Sequence, residues 1–439
     1  MVAQTIIALA SGNLPAGIGI LRVSGPECLE ILACVLATPI LPNCLKLRNI
    51  IDPVTDNIID TGMVYFAPGP NSFTGEDVIE FHLHGSLAIM RKMIAVLLNF
   101  DNVVLAQAGE FTKRAFENSK LDLSEVEGLG DLLHAETEGQ RVQAMSRYHG
   151  GISRLIDSWR AVLTATLSQI EANLDFSDEE DVLGFDLPQN TQSLETLRRE
   201  IALKLQGYQG ARIVREGFRV GVAGLPNVGK SSLINALTKS NQLIVTEEAG
   251  TTRDLHEVQF ELNGQLIILI DSAGIRKSSS IAETEGVRRS IELLAFCDLV
   301  VWVSALDVMR SEIVPDIAGP VIHVSNKADL GEGATGLLVG AKGGNVEPLL
   351  EALQLQLDEL SVGAGSQIIS RERDKLALEA GIHHLDKALS LLNNSEYDLQ
   401  LEFVAEELRL CLYVLERLLG KVDSEAILGE IFTGFCIGK

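Results

Sequence analysis

The chain has 439 residues, enough for about three domains of ordinary size. Its formal net charge of −24 excludes a protein that coats nucleic acid nonspecifically, because that mode of binding needs Lys and Arg to neutralise phosphates. Any contact with RNA must therefore be local. The six cysteines form no C-x-x-C pair, which is typical of reduced thiols. Without a basic leader or an apolar run of about 20 residues, the sequence predicts a cytoplasmic protein with no membrane contact.

Residues 1–118 mix short β-branched runs with helical segments and predict a compact α+β domain. The run 78–85 is typical of a strand, and its period of two places Glu80, His82 and His84 on one face. A hydrogen-bonded polar face is the favoured interpretation of these side chains. A metal site made from the same side chains is the alternative.

Residues 119–210 show helical periodicity and predict a helical domain, and the acidic run 175–181 within it is typical of a solvated loop. Residues 211–365 alternate strands with helices, which predicts a mainly parallel sheet with ligands beyond the carboxyl ends of its strands. Helical periodicity returns in residues 366–439. A helical domain with an α/β domain inserted into it is therefore expected.

The segment Gly224–Ser231 matches G-x-x-x-x-G-K-[ST] and lies between an apolar strand and a helix. In such a loop the backbone N–H groups and the helix N-terminus bind phosphate oxygens. Lys230 is expected to reach the outer phosphates, and the Ser231 hydroxyl is expected to bind Mg²⁺. A nucleoside triphosphate is the predicted ligand.

Three later motifs identify the nucleotide. Thr251-Thr252 would complete the Mg²⁺ shell through Thr252, Asp271–Gly274 is an Asp-x-x-Gly that senses the γ-phosphate, and Asn326–Asp329 is an Asn-Lys-x-Asp. The Asp329 carboxylate can accept two hydrogen bonds from guanine that adenine cannot donate. The sequence predicts GTP with Mg²⁺, in a Ras-like P-loop GTPase domain inserted into a multidomain protein with an α+β N-terminal domain and an α-helical bundle.

The predicted GTP contacts are Asn227, Val228, Gly229, Lys230, Ser231, Ser232, Thr246, Glu247, Glu248, Ala249, Gly250, Thr251, Thr252, Asp271, Ser272, Ala273, Gly274, Asn326, Lys327, Asp329, Gly340, Ala341 and Lys342. Two departures from the usual GTPase motifs are expected to have little effect on GTP binding. Ser272 replaces a commoner Thr, and Gly340 replaces a commoner Ser. The base contact in the second of these segments is expected through the backbone N–H of Ala341. Ile275 stands where Ras-like proteins carry a water-orienting Gln. Another group must therefore place the attacking water.

Five segments together resemble the MnmE (TrmE) family of tRNA modification GTPases, over essentially the whole chain. They are Gly69–Asp77, Gly109–Phe116, Gly224–Ser231 with Asn227, Thr246–Asp254 and Phe435–Lys439. The GTPase motifs alone would also fit a GTP-switched ribosome-assembly factor without modification chemistry, which is the alternative function. The N-terminal motifs and the Cys-Ile-Gly-Lys end are more specific to the MnmE family.

The resemblance implies a potassium-dependent GTPase in which K⁺ takes the place of an arginine finger. The implied K⁺ ligands are Asn227, Thr246, Glu248 and Thr251. Glu283 matches the family's water-placing glutamate, and Glu285 is its rival by sequence alone. The resemblance also implies a homodimer held by the N-terminal domains, whose GTPase domains meet when K⁺ and GTP bind.

For the modification chemistry, the resemblance implies an N-terminal site for 5-formyl- or methylene-tetrahydrofolate, lined by Arg22, Glu80, Lys120 and Lys439. An FAD-dependent partner of the MnmG (GidA) type would join the homodimer in a heterotetramer. The expected reaction adds a (carboxymethyl)aminomethyl group to C5 of the wobble uridine of tRNA. Cys436 is either a catalytic thiolate nucleophile or a buried tail cysteine.

Overall fold

The computed structural model describes residues 4–175, 186–224, 227–240, 257–271, 294–305, 319–328, 336–341, 345–360, 368–393, 401–420, 429, 431–432, 434–435 and 437–439. These residues divide into two compact units. The first contains Met1–Gly130, Tyr148–Ile156 and Leu415–Lys439, and the second contains Asp131–Arg147 and Asp157–Val414.

The first unit contains a six-stranded sheet in the order β3-β4-β5-β2-β1-β6. Its strands are β1 (Thr5–Leu9), β2 (Ala16–Ser24), β3 (Lys46–Ile51), β4 (Ile58–Ala67), β5 (Val78–Gly85) and β6 (Val103–Leu105). Helices α1 (Cys28–Val35) and α2 (Leu87–Leu97) bury apolar side chains such as Ile31 and Met93 in one core with Leu21 and Phe81. A short helix, α3 (Glu110–Glu117), follows β6. This sheet and its helices have the α+β character predicted for residues 1–118.

Four helices follow in the order α4 (Leu123–Leu133), α5 (Glu138–Tyr148), α6 (Gly151–Asp175) and α7 (Leu187–Gln206), and α8 (Tyr208–Glu216) leads to the second sheet. Two more helices, α11 (Glu372–Leu392) and α12 (Leu401–Glu416), come after that sheet. The buried positions of these helices recur at the predicted helical spacing, for example Ile152, Ile156, Trp159 and Leu163 in α6. The helical part of the chain is therefore interrupted by an α/β segment, as its periodicity predicts.

The second sheet has the order β12-β11-β10-β7-β9-β8. Its strands are β7 (Phe218–Ala223), β8 (Glu257–Leu262), β9 (Gln265–Asp271), β10 (Leu299–Ala305), β11 (Val321–Asn326) and β12 (Leu337–Leu338). Helices α9 (Lys230–Ser240) and α10 (Glu347–Leu360) pack on its apolar core. Within the described ranges every pairing is parallel except that of β8 with β9. The predicted, mainly parallel sheet is confirmed.

The acidic run 175–181 has only Asp175 inside the described residues, at the end of α6. The domain boundaries predicted at 118, 210 and 365 stay predictions.

Candidate functional site: a phosphate loop and an N-terminal pocket

The phosphate loop lies at the carboxyl end of β7 and leads into α9. Three of its residues have positive φ: Gly224 at 141°, Asn227 at 64° and Gly229 at 92°. A Cβ on Gly224 would collide with the carbonyl oxygen of Val303, and one on Gly229 would collide with the side-chain amide of Asn326. Both glycines are therefore required by the left-handed backbone and by the close neighbours, as is usual where a loop surrounds phosphates.

Two side chains at the start of α9 contact the phosphate loop and the end of β9. Lys230 is only 7% exposed, and its Nζ donates to the carbonyl oxygen of Gly224 at 2.9 Å. Ser231 Oγ lies 3.1 Å from Asp271 Oδ2, at the end of the adjacent strand β9. A hydroxyl and a carboxylate oxygen beside a phosphate loop are the hard oxygen ligands that Mg²⁺ prefers. The residues present fit a Mg²⁺ triphosphate.

Asn326, at the end of β11, connects the base-recognition motif to the phosphate loop. Its Nδ2 donates to the carbonyl oxygen of Val228 at 2.9 Å, and its Oδ1 accepts from the backbone N–H of Lys327 at 2.8 Å. The same Oδ1 accepts from Ala341 N–H at 3.3 Å. The N–H that we expected at the base is therefore directed to the Asn326 side chain in this structure. The Asn326 side chain thus supports the phosphate loop.

Of the predicted GTP contacts, the structure brings together Asn227, Val228, Gly229, Lys230, Ser231, Ser232, Asp271, Asn326, Lys327, Gly340 and Ala341 at the carboxyl ends of β7, β9, β11 and β12. The others lie outside the described residues. They are Thr246, Glu247, Glu248, Ala249, Gly250, Thr251, Thr252, Ser272, Ala273, Gly274, Asp329 and Lys342. The candidates for placing the water, Glu283 and its rival Glu285, also lie outside the described residues. Cys436 is outside them as well.

The residues predicted to form the N-terminal folate pocket are centred on Arg22 of β2, which is paired in register with Glu80 on β5. Arg22 Nη2 lies 2.9 Å from Glu80 Oε1, and His82 Nε2 lies 3.1 Å from Glu80 Oε2. Burial acts to raise the pKa of the Glu80 carboxyl, but the Arg22 charge and the His82 hydrogen bond outweigh burial and hold this pKa below its usual value. Glu80 is therefore a half-buried, ionised acceptor.

Aromatic rings and the C-terminal tail complete the surroundings of Arg22. Its guanidinium carbon lies 5.8 Å from the Phe73 ring centroid and 5.7 Å from that of Phe111. Its Nη1 donates to the carbonyl oxygen of Gly438 at 3.2 Å, so the residue before Lys439 contacts the same guanidinium. Phe73 and Phe111 belong to the two N-terminal motifs, which brings those motifs to the predicted folate residues.

The tail is fixed to the first unit at several points. Phe432 and Phe435 are nearly buried and pack with Val126 and Leu129. Ile437 forms an antiparallel bridge with Ala108. Gly438 has φ 99°, and a Cβ on it would collide with the carbonyl oxygen of Leu9. The conformation at residue 438 therefore requires glycine.

Lys120 is the most peripheral of the predicted folate residues. Its Nζ donates to the carbonyl oxygen of Pro70 at 2.9 Å, in the loop that begins at Gly69. Arg114, which was not among the predicted site residues, lies 2.9 Å from Glu76 and joins the Gly69–Asp77 and Gly109–Phe116 segments. Glu76 in turn accepts from the Ser24 hydroxyl at 2.7 Å. This network holds the loop that carries Phe73.

The polar-face interpretation of β5 is confirmed, and the metal alternative receives no support. His82 bonds to Glu80, whereas the ring of His84 bonds to Asp60 on β4 at 2.9 Å. Throughout the described parts of the chain no group of three or more His, Cys, Asp or Glu side chains could hold a metal ion. The cysteines within those parts, Cys28, Cys34, Cys44, Cys297 and Cys411, form no disulfide. Among the helices that can be described, none is long and apolar enough to cross a membrane.

Two features around Arg22 were not predicted from the sequence. The contact of Arg22 with the tail joins residues 416 positions apart, and no local pattern marks such a pair. The phenylalanines around Arg22 could have been found only because they lie inside the two N-terminal motifs.

Comparison with known proteins agrees with this geometry. Residues 5–120 match the model of the GTP-binding protein TrmE N-terminus, and residues 123–436 match the MnmE helical domain. The tRNA modification GTPase MnmE of Rhodopseudomonas palustris (strain BisB5) is 42% identical, covering 99% of both chains. The protein of the same name from Rhizobium johnstonii is 41% identical, covering 100% of both chains.

A solved structure matches a smaller part of the chain. The G domain of the T. maritima FeoB iron transporter covers 33% of this chain and 98% of its own, at 26% identity and a TM-score of 0.23. The sequence matches, and not this superposition, carry the assignment. The chain therefore belongs to the MnmE (TrmE) family of tRNA modification GTPases.

Proposed function

We propose that this GTP hydrolase acts in the cytoplasm with an FAD-dependent partner and adds a (carboxymethyl)aminomethyl group to C5 of the wobble uridine of tRNA. A one-carbon tetrahydrofolate supplies the carbon, and the active assembly is a homodimer joined to the partner in a heterotetramer. The observation that carries the proposal is the contact of Arg22 with both Glu80 and Gly438, because it collects a cation, an ionised acceptor and the C-terminal tail in a TrmE-type domain.

In the nucleotide site the chain's own residues bind and orient GTP. Lys230 and the phosphate-loop amides bind the phosphates, Ser231 with Thr252 holds Mg²⁺ near Asp271, and Asp329 reads guanine while Asn326 supports the loop. Bound cations neutralise the charge that develops on the transferred phosphoryl group. We assign K⁺ to Asn227, Thr246, Glu248 and Thr251. Asn227 is the member of this set within the described residues, in a left-handed conformation that Asn tolerates well.

We assign the positioning of the attacking water to Glu283 on the resemblance to the MnmE family, because Ile275 has no polar group that could orient the water. A general base or a water-positioning group contributes roughly 10²–10⁴-fold in rate. Single-turnover GTP hydrolysis by Glu283→Ala and Glu285→Ala variants separates the two candidates. Wild-type turnover in Glu283→Ala would show that Glu283 does not position the attacking water.

In the N-terminal pocket the residues present fit a reduced folate. Glu80 is an ionised acceptor for the amino edge of a pterin, and Arg22, Lys120 and Lys439 suit the carboxylates of its glutamate tail. Phe73 and Phe111 offer ring faces beside Arg22. Cys436, next to the tail residues fixed by Ala108 and Arg22, is the proposed nucleophile toward the uridine.

Calorimetric titration of the full-length protein with 5-formyltetrahydrofolate tests this proposal. We expect saturable binding that Glu80→Gln weakens at least about tenfold, equivalent to about 1.4 kcal/mol. His84→Asn is the matched control, because His84 lies on the same strand but bonds to Asp60. No binding by the wild-type protein would favour the alternative, a GTP-switched ribosome-assembly factor without modification chemistry.

A further inference from the structure

Helix α5 has hydrogen bonds to three separate parts of the second unit. It contacts the turn between β8 and β9, the helix α8 that enters the second sheet, and the segment that leaves this sheet toward α11. The last residue of α5, Tyr148, belongs to the first compact unit, whereas the preceding Arg147 belongs to the second. Helix α5 is therefore hydrogen-bonded to the second unit at three points. Its last residue continues directly into the first unit, which contains the tail.

At the start of α5, Gly139 contacts the β8–β9 turn. The Gly139 N–H donates to the carbonyl oxygen of Gly264 at 3.2 Å. A Cβ on Gly139 would lie only 2.9 Å from that oxygen, closer than such atoms approach. Strand β9 begins directly after this turn and ends at Asp271, which bonds to Ser231 at the phosphate loop. A single strand of about 20 Å thus connects the α5 contact with the nucleotide site.

In the middle of α5 two glutamines donate to carbonyl oxygens of α8. Gln140 Nε2 donates to Arg215 O at 3.1 Å, and Gln143 Nε2 donates to Ala211 O at 3.0 Å. Arg215 lies in the last turn of α8, where carbonyls have no partner inside the helix. Gln140 also accepts from Glu136 N–H and Thr137 N–H through Oε1, so it caps its own helix as well. These bonds fix α5 to the segment that leads directly into β7.

At the end of α5, Arg147 holds the returning chain. It is 1% exposed, and its Nη1 donates to Asp374 Oδ2 at 2.7 Å and to Ile368 O at 3.2 Å. Asp374, in the first turn of α11, is completely buried. Breaking a buried pair of this kind leaves an uncompensated charge, which costs several kcal/mol. The pair therefore makes α5 and the start of α11 move together.

We propose that α5 is the helix through which the nucleotide state at the carboxyl end of β9 reaches the unit that contains the tail and the Arg22 pocket. A displacement of β9 on nucleotide exchange shifts Gly264, and Gly139 passes the shift into α5. The bonds of Gln140 and Arg147 prevent α5 from relaxing independently. This inference rests on the proposed function for its purpose, because GTP hydrolysis would then time the chemistry at the tail.

Hydrogen exchange of the full-length protein, with GDP and with a non-hydrolysable GTP analogue in KCl, tests the proposal. In the wild-type protein we expect the amides of residues 136–156 to exchange at least about threefold differently in the two states. Gly139→Ala should abolish this difference in residues 148–156, with nucleotide affinity within about twofold of wild type. The measurement uses neither folate nor tRNA, so it fails or succeeds independently of the modification proposal.

Two further variants make the test specific. Gln140→Glu keeps both acceptor bonds at the start of α5 but loses the donation to Arg215, and we expect it to reduce the difference even if Gly139→Ala does not fold. Arg141→Gln is the matched control, because Arg141 is exposed and bonds to Glu138 on the same helix. Equal exchange in both nucleotide states of the wild type, or an undiminished difference in Gly139→Ala and Gln140→Glu, would overturn the proposal.

Discussion

The side-chain amide of Asn326 donates a hydrogen bond to the carbonyl oxygen of Val228 across 2.9 Å. This bond joins the Asn-Lys-x-Asp segment to the phosphate loop. Because Asn326 also accepts from Lys327 and Ala341, a single buried side chain organises three segments of the site. The Asn of the Asn-Lys-x-Asp motif is thus a structural support of the phosphate loop.

Replacing Asn326 with Asp tests this support. Asn326→Asp keeps an acceptor for Lys327 and Ala341, but it places a carboxylate oxygen against the Val228 carbonyl. We expect the affinity for GTP and for GDP to fall about 10- to 100-fold, because a buried acceptor is left opposite another acceptor. Asn102→Asp, at an exposed turn of the first unit, should leave both affinities within about twofold. Unchanged nucleotide binding in Asn326→Asp would show that Asn326 does not support the phosphate loop.

We predict that adding a single methyl group at Gly438 releases the C-terminal tail. Gly438→Ala forces a Cβ into the carbonyl oxygen of Leu9 and onto a backbone with φ 99°. We expect carboxypeptidase B to remove Lys439 at least about tenfold faster, since cleavage follows the population of the open tail. Gly434→Ala is the matched control, because its Cβ would meet the nearest atom, Ile431 O, at an ordinary 3.5 Å. Equal release rates in the two variants would mean that Gly438 does not hold the tail.

The buried pair of Arg147 and Asp374 predicts a specific pH dependence. Burial acts to raise the pKa of Asp374, but the Arg147 charge and hydrogen bond outweigh it and hold this pKa below its usual value. A depressed folded-state pKa gives stability that is present above the unfolded value of about 3.9 and is lost as the pH falls through the folded value. Asp374→Asn should therefore lower the thermal midpoint at pH 7 and flatten its dependence on pH below about 4.

The size of the loss in stability distinguishes a buried ion pair from a surface ion pair. Removing one member of a buried pair costs about 3–5 kcal/mol, whereas an exposed pair contributes about 0–1 kcal/mol. Asp386→Asn breaks the exposed pair with Arg198 and serves as the control. A midpoint for Asp374→Asn as high as that for Asp386→Asn would show that the Arg147 pair adds little.

Much of the fold follows from local pattern, and much of the site does not. Strand β5 spans residues 78–85, as predicted, because its alternating apolar residues determine it locally. The phosphate loop can also be predicted from the sequence, since its glycines and Lys230 lie in one short segment, Gly224–Ser231. The pair of Arg147 with Asp374 spans 227 positions and depends on tertiary packing, which a single sequence does not encode in any local period. The same holds for the bond between Arg22 and Gly438.

The potassium assignment gives a charge-substitution test. Asn227→Lys would place a fixed cation near the position proposed for K⁺, and we expect GTP turnover to become equal in KCl and NaCl. The left-handed φ of 64° makes Lys less favourable there than Asn, by roughly 1 kcal/mol, so GTP affinity is measured in parallel. Turnover in this variant that still rises with K⁺ over Na⁺, at saturating GTP, would contradict the assignment of Asn227.

The central claim is that this GTPase acts in the modification of wobble uridine through the Arg22 pocket. Mass spectrometry of nucleosides from total tRNA tests it most directly, in cells that lack the protein and in the same cells carrying the wild-type chain or Arg22→Ala. The account predicts that C5-(carboxymethyl)aminomethyl uridine disappears without the protein, returns with the wild-type chain and stays depleted with Arg22→Ala. Unchanged levels of this nucleoside in cells without the protein would contradict the account.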